Sequence, residues 1–133
     1  LRPVLANFPQ AALGSVILAA AIAIIDALGA DTLLSDNRFF DVLPRGISKG
    51  PSLLRLMGHL GVAQSRVLAA GDTLNDLSML VAGTPAVAVG GAEQPLLDAL
   101  PKAPHIHRAQ AIGAAGIMEA ISHFDLHPSL AEV

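Results

Sequence analysis

Cysteine, tryptophan and tyrosine are absent from the 133 residues. Without cysteine there is no disulfide framework, no thiolate metal site and no cysteine nucleophile, and a reducing, cytoplasmic compartment is permitted. The aromatics are four phenylalanines, too few for a platform on which bases stack. Charge is scarce as well: 14% of residues are Asp, Glu, Lys or Arg, against about 25% in an ordinary domain. Eight basic and 11 acidic side chains leave a formal charge of −3, so the basic footprint of a nucleic-acid binder is missing. What remains is apolar. Hydrophobic residues make up 53%, and 24 residues are alanine, so small-residue packing carries part of the mean hydropathy. This composition excludes a disordered or solvating arm, and the length suits one domain rather than two. The initial Leu suggests a piece cut from something larger.

Residues 3–25 carry no charged side chain, and their centre is the run AALGSVILAAAIAII, closed by Asp26. A bilayer span needs about 20 apolar residues, and shorter runs of about 10–14 are more often buried helices or signal-type segments. This run lies between those cases. A membrane-derived helix, a buried helix and a signal segment all stay open, with Arg2 the single flanking cation. The wording LRPVLANFPQAALGSVILAAAIAIID also resembles a transmembrane helix of sulfate-permease-type anion transporters, over residues 1–26.

From Ala27 onward Gly, Pro and isolated charges punctuate short apolar runs, the signature of alternating strands and helices. Strands are expected at 38–43, 66–70, 85–89 and 105–107. Helices are expected at 50–60, 74–81, 92–100 and 116–124, the first with Leu53, Leu54, Met57 and Leu60 on one face and Gly61 as its stop. That order predicts an α/β fold, a three-layer parallel sheet with flanking helices, preceded by one apolar helix. The organisation expected is 1–26 as the apolar helix, 27–127 as the core and 128–133 as a tail.

Two segments carry chemistry. In GDTLND an apolar strand delivers Asp72 at its carboxyl end, where open α/β sheets place their ligands. Asp76 follows four residues later, and hard cations such as Mg²⁺ take one or two such carboxylates together with phosphate and water. The same residues also read as a helix start, with Asp72 or Thr73 as N-cap and Asp76 favouring the dipole. In PRGISKG, Lys49 stands at an expected helix N-terminus, where the dipole disfavours a cation by about 0.3–1 kcal/mol. An anion held between the lysine and the helix would explain it, as would a solvated lysine. Lys49 and Asp72 at successive strand ends make a phosphate-plus-magnesium pair.

FDVLPRGISKGPSLL followed by RVLAAGDTLNDLSML resembles motifs three and four of the haloacid-dehalogenase superfamily, and more narrowly its sugar-phosphatase branch, with 22 residues from Lys49 to Gly71. The resemblance covers residues 27–127. GDTLNDLSML with GAAGIMEAISHF looks closest to phosphatases of compatible-solute sugar phosphates, of the glucosylglycerol-phosphate and sucrose-phosphate types. It implies an Mg²⁺-dependent phosphomonoester hydrolase acting on a sugar phosphate. Lys49 would neutralise the phosphoryl group. Asp72 would ligate Mg²⁺, with Asp76 behind it holding a metal-bound water. Asn75 would contact phosphate, while Gly71 and Gly50 let the backbone approach metal and phosphate. The superfamily's nucleophile and acid/base are the two aspartates of an Asp-x-Asp, and no two of the eight aspartates here stand one residue apart. The resemblance therefore implies a carboxy-terminal half, inactive alone, lacking its amino-terminal half and the specificity-bearing cap.

His105 and His107 alternate on an expected strand, and His123 and His127 lie four apart. Either spacing could hold Zn²⁺, but no third ligand is near in sequence, and solvated surface is the expectation, as it is for His59. Gly90-Gly91 lacks the third glycine of a dinucleotide fingerprint. Two readings stand beside the enzyme: a non-catalytic remnant that meets a membrane or partner through residues 3–25, and a fragment of an anion transporter.

Overall fold

A computed structural model describes residues 10–35 and 39–127. In chain order the elements are helix α1 (Gln10–Ala27), strands β1 (Ala30–Ser35) and β2 (Phe39–Pro44), helix α2 (Lys49–Leu60), strand β3 (Ala69–Gly71), helix α3 (Leu77–Leu80), strand β4 (Ala86–Gly90), helix α4 (Gln94–Ala99), strand β5 (Ile106–Ile112) and helix α5 (Ala114–His123). Short 3-10 turns at Gln64–Arg66 and Leu74–Asp76 precede β3 and α3.

The strands form two sheets, not one. β3, β4 and β5 run parallel in that order, with Ala69 opposite Ala86 and Ala86 opposite Ile106. β1 and β2 make a separate antiparallel pair, with Ala30 opposite Pro44 and Ser35 opposite Phe39. The strand expected at 38–43 therefore exists but does not belong to the parallel sheet. Its partner, ADTLLS, was not expected as a strand. A link of three residues joins the two, which permits only antiparallel pairing, since a parallel return needs a dozen residues or more.

Alternation along β4 places helices on both faces of the parallel sheet. Ala86 and Ala88 are buried with Leu80 of α3 and with Leu96 and Leu100 of α4 and its end. Val87, equally buried, points the other way. Val89 shares the Val87 face and meets α5, where a side chain at Gly116 would touch it. Three layers are thus present over residues 69–123. Alanines of β3 and β4 share this core with the leucines, and the close approach of α5 depends on Gly116, where a Cβ would overlap the Ala111 carbonyl.

α2 starts at Lys49 and stops at Gly61, whose φ of 65° is left-handed and whose amide donates to the Met57 carbonyl. The stop is the expected one. Of the expected apolar face only Met57 is buried, with Leu53 half-buried, whereas Leu54 and Leu60 are exposed. The helix packs on α3 across the Gly50–Met57 side, so its contact stripe is narrow.

α1 is helical as expected, but it neither buries nor completes a sheet. Val16, Ile17 and Ile24 are 60%, 61% and 60% exposed. Among the described residues no helix is long and apolar enough to cross a membrane. Residues 3–9 of the expected membrane contact lie outside the described residues, as do 128–133 of the expected tail. Arg45 ties the carboxyl end of α1 to the hairpin, donating to the Asp26 carboxylate at 2.7 Å and to the Asp26 carbonyl at 3.0 Å.

Candidate active site

Two loops meet at the carboxyl end of β3. The first is the approach to α2. Gly46, at φ 75°, turns the chain out of β2, and its amide donates to Asp31 of β1 at 2.8 Å. Ser48 is extended, with φ −151° and ψ 171°, and α2 begins at Lys49. The second loop leaves β3 at Gly71 and enters the Leu74–Asp76 turn through a reciprocal cap. Thr73 and Asp76 satisfy each other's backbone and side chain there, which removes two otherwise orphaned donors.

Asp76 joins the loops. It is buried, and both of its oxygens are occupied. Oδ2 accepts from the Asp72 and Thr73 amides at 3.1 and 3.2 Å and from the Thr73 hydroxyl at 3.3 Å. Oδ1 accepts from Lys49 Nζ at 2.5 Å. Burial pushes the Asp76 carboxyl up, but the Lys49 hydrogen bond, the Thr73 and Asp72 amides and the Lys49 charge together hold it below the usual carboxylate range. Lys49 itself is half exposed. Its odd position at a helix start has a structural reason, because it answers a buried carboxylate 27 residues away.

The glycines permit this approach. A Cβ at Gly71 would overlap the Asp76 side chain, and one at Gly50 would overlap the Ser78 carbonyl. Gly50 also donates its amide to Ser78 Oγ at 3.1 Å, locking α2 onto α3.

Of the residues singled out in the sequence, Lys49, Gly50, Gly71, Asn75 and Asp76 converge. Two corrections follow. Lys49 does not end a strand of the parallel sheet; it opens the helix after the hairpin. Asp76 does not point outward with Asp72; it turns back into its own cap. Asp72 is exposed, and its carboxylate has no hydrogen-bond partner among the described residues. Its carbonyl accepts from the Glu93 amide at 2.8 Å, which fixes the loop to the start of α4. A free carboxylate at a strand tip suits the one protein ligand that Mg²⁺ can accept when phosphate and water supply the rest. Asp76 already accepts hydrogen bonds within the protein on both oxygens, three on Oδ2 and one on Oδ1. No group of three or more His, Cys, Asp or Glu among the described residues could hold a metal ion.

A cavity of about 600 Å³ opens beside Lys49, within the range of small-molecule sites. Leu74, Asn75 and Ser78 form one wall, while Asp31, Asp41 and Leu43 of the hairpin form the other. The hairpin wall had no counterpart in the sequence reading, although Ser35-Asp36-Asn37 between two apolar runs is a hairpin signal.

His59, His123 and His127 are exposed, as expected, and His107 departs from expectation. His107 is largely buried and sits 2.8 Å from Glu119 Oε1, with its ring stacked on His123 at 4.3 Å. Glu119 also accepts from the Gln110 and Ala111 amides, each at 3.1 Å. The pairing is 107 with 123, across β5 and α5, with the exposed His123 ring covering His107.

Comparison with known proteins agrees with this geometry. The family description of sucrose-6F-phosphate phosphohydrolase matches residues 20–125. The chain is 44% identical over 103 residues to a glucosylglycerol-phosphate synthase from Pseudomonas anguilliseptica, covering 77% of the chain and 14% of that protein. It is 33% identical over 119 residues to a mannosylfructose-phosphate phosphatase from Agrobacterium fabrum, covering 89% and 47%. A sucrose-phosphatase from Synechocystis sp. PCC6803, solved with sucrose and phosphate, superposes with a TM-score of 0.70 at 28% identity, over 82% of this chain and 46% of that one. The chain thus spans less than half the length of these relatives. The likeness of residues 1–26 to a transporter helix rests on wording alone.

Proposed function

The chain belongs to the sucrose-6F-phosphate phosphohydrolase family, in the sugar-phosphatase branch of the haloacid-dehalogenase superfamily, and from that premise we propose that it supplies the phosphate- and metal-binding half of an Mg²⁺-dependent sugar-phosphate phosphatase. The observation that carries this reading is the Lys49–Asp76 pair at the rim of the cavity, with the free Asp72 carboxylate on the neighbouring loop. Lys49 is the one lysine there. Anchored by Asp76, its ammonium is held in place beside the cavity and has two donors left for a phosphoryl oxygen. Such preorganised charge is usually the largest catalytic contribution in acyl- and phosphoryl-type sites. Asp72 would hold Mg²⁺, which when bound neutralises charge on the same phosphoryl group. Asn75 lies beside Lys49 on the cavity wall and orients the ester.

No group in the 133 residues stands as an Asp-x-Asp nucleophile. The chain alone is therefore expected to release no phosphate, since disabling a catalytic unit costs about a millionfold. The test is complementation. The chain is mixed with a fragment carrying an Asp-x-Asp strand and Mg²⁺, and phosphate release from sucrose 6F-phosphate is measured. Release that needs both fragments and vanishes with Lys49→Ala supports the reading. Release by the chain alone, abolished by Asp72→Ala, would show that it holds a nucleophile of its own and needs no Asp-x-Asp fragment.

The exposed apolar side of α1 favours a second reading, in which this helix meets a membrane or a protein partner. Co-sedimentation with anionic and neutral lipid vesicles tests it, and absence from both pellets removes the membrane version.

A further inference from the structure

Resting on the phosphate-site reading above, we propose that Asp41 selects the substrate's alcohol portion: its carboxylate receives sugar hydroxyls and turns away esters that carry a second anionic group. Strand geometry sets it up. Asp41 and Leu43 stand two apart on β2 and share a face, and the register places Asp31 opposite Leu43 on that same face. All three line the cavity together with Lys49 and Asn75. The two carboxylates have unlike duties. Asp31 is committed, accepting from the Gly46 amide at 2.8 Å with Arg45 Nε at 3.9 Å. Asp41 has no hydrogen bond or ion pair among the described residues, yet it stands in the wall of a site.

An ionised carboxylate is acceptor-only and can take two hydroxyl donors at once, which a polyhydroxylated ligand supplies and a bare phosphate does not. Leu43, Ile47 and Leu74 give the same cavity an apolar surface for the C–H faces of a sugar ring. The cavity is therefore polarised, with a cation at the phosphate end and a free carboxylate at the alcohol end. A second phosphate or a sugar carboxylate would have to face Asp41, which has no cation paired with it among the described residues, whereas Asp31 has Arg45 beside it. Rejection by unpaired like charge is the repulsive half of specificity.

The experiment titrates the full 133-residue chain with Mg²⁺ and four probes: inorganic phosphate, sucrose 6F-phosphate, 6-phosphogluconate and fructose 1,6-bisphosphate. Asp41→Asn keeps the shape and removes the charge. Because Asp41 has no hydrogen bond or ion pair among the described residues, the variant should unfold at the same temperature as the parent. The expected result is that Asp41→Asn binds 6-phosphogluconate and the bisphosphate about tenfold more tightly, a change of about 1.4 kcal/mol. Sucrose 6F-phosphate should weaken severalfold, and inorganic phosphate should stay within twofold. If all three esters shift by the same factor, or none shifts, the assignment of Asp41 is overturned while the phosphate site stands. If inorganic phosphate does not bind the parent, or binds Lys49→Ala equally well, the phosphate site fails and the assignment falls with it.

Discussion

Asp76 spends both carboxylate oxygens inside the protein, one on a loop and one on Lys49, so its removal should be felt twice. Asp76→Asn keeps the volume but loses the ion pair and weakens the cap, and is expected to cost about 1–2 kcal/mol in denaturant unfolding. Its pH dependence has a definite sign. The folded carboxyl titrates below its ordinary 3.8, so the stabilisation is complete above 3.8 and is lost as pH falls from there through the lowered folded value. Acid unfolding followed by circular dichroism should show parent and Asp76→Asn converging below pH 3.8 and separated at neutral pH. Glycines at the site give a second residue-scale test. Gly50→Ala drives a methyl into the Ser78 carbonyl, and Gly71→Ala drives one, slightly less deeply, into the Asp76 Cβ, which side-chain rotation does not move. Both should destabilise, by about 1–3 kcal/mol, with Gly50→Ala the more severe in thermal unfolding. Lys49, Gly71 and the aspartates were legible as motif words. The Lys49–Asp76 bond was not, because it joins residues 27 apart and exists only once α2 docks on α3.

Among the elements, α2 with its glycine stop and β4 with its apolar run were legible, since each follows from local pattern. The β1–β2 hairpin was half legible: RFFDVL declares a strand, but its partner ADTLLS opens with polar residues and offers a weak signal alone. With β1 overlooked, β2 had no antiparallel mate and was assigned to the parallel sheet. α1 poses the reverse problem, for its apolar run left a membrane, a buried and a signal helix open, and its large apolar side chains face outward. Ile17→Gln combined with Ile24→Gln should therefore change stability by less than about 0.5 kcal/mol while reducing self-association, measured by thermal unfolding and sedimentation velocity. The β5–α5 contact makes a further case. Hydrogen bonds from His107 and the Ala111 and Gln110 amides hold the Glu119 carboxyl below its ordinary 4.5. Its contribution is full above 4.5 and is lost as pH falls from there through the lowered value. A carbon-detected NMR titration of Glu119 in the parent and in His107→Ala should show the midpoint rising in the variant.

At the scale of the whole molecule, the described sheet stops at β3, and that boundary has a consequence for its amides. Ala69 donates to the Pro85 carbonyl on the β4 side, so by alternation the Ala70 amide and carbonyl face the other way. Among the described residues no strand pairs with that outer side, although Gly71 at its tip adjoins the buried Asp76. The middle of the chain's most motif-rich strand thus keeps a donor and an acceptor open, within a few residues of the Lys49 cradle. Deuterium should enter Ala70 orders of magnitude faster than Val87, which lies between two partners. Any polypeptide that lays a strand along this edge would slow Ala70 first, so one amide reports on assembly before any substrate is turned over.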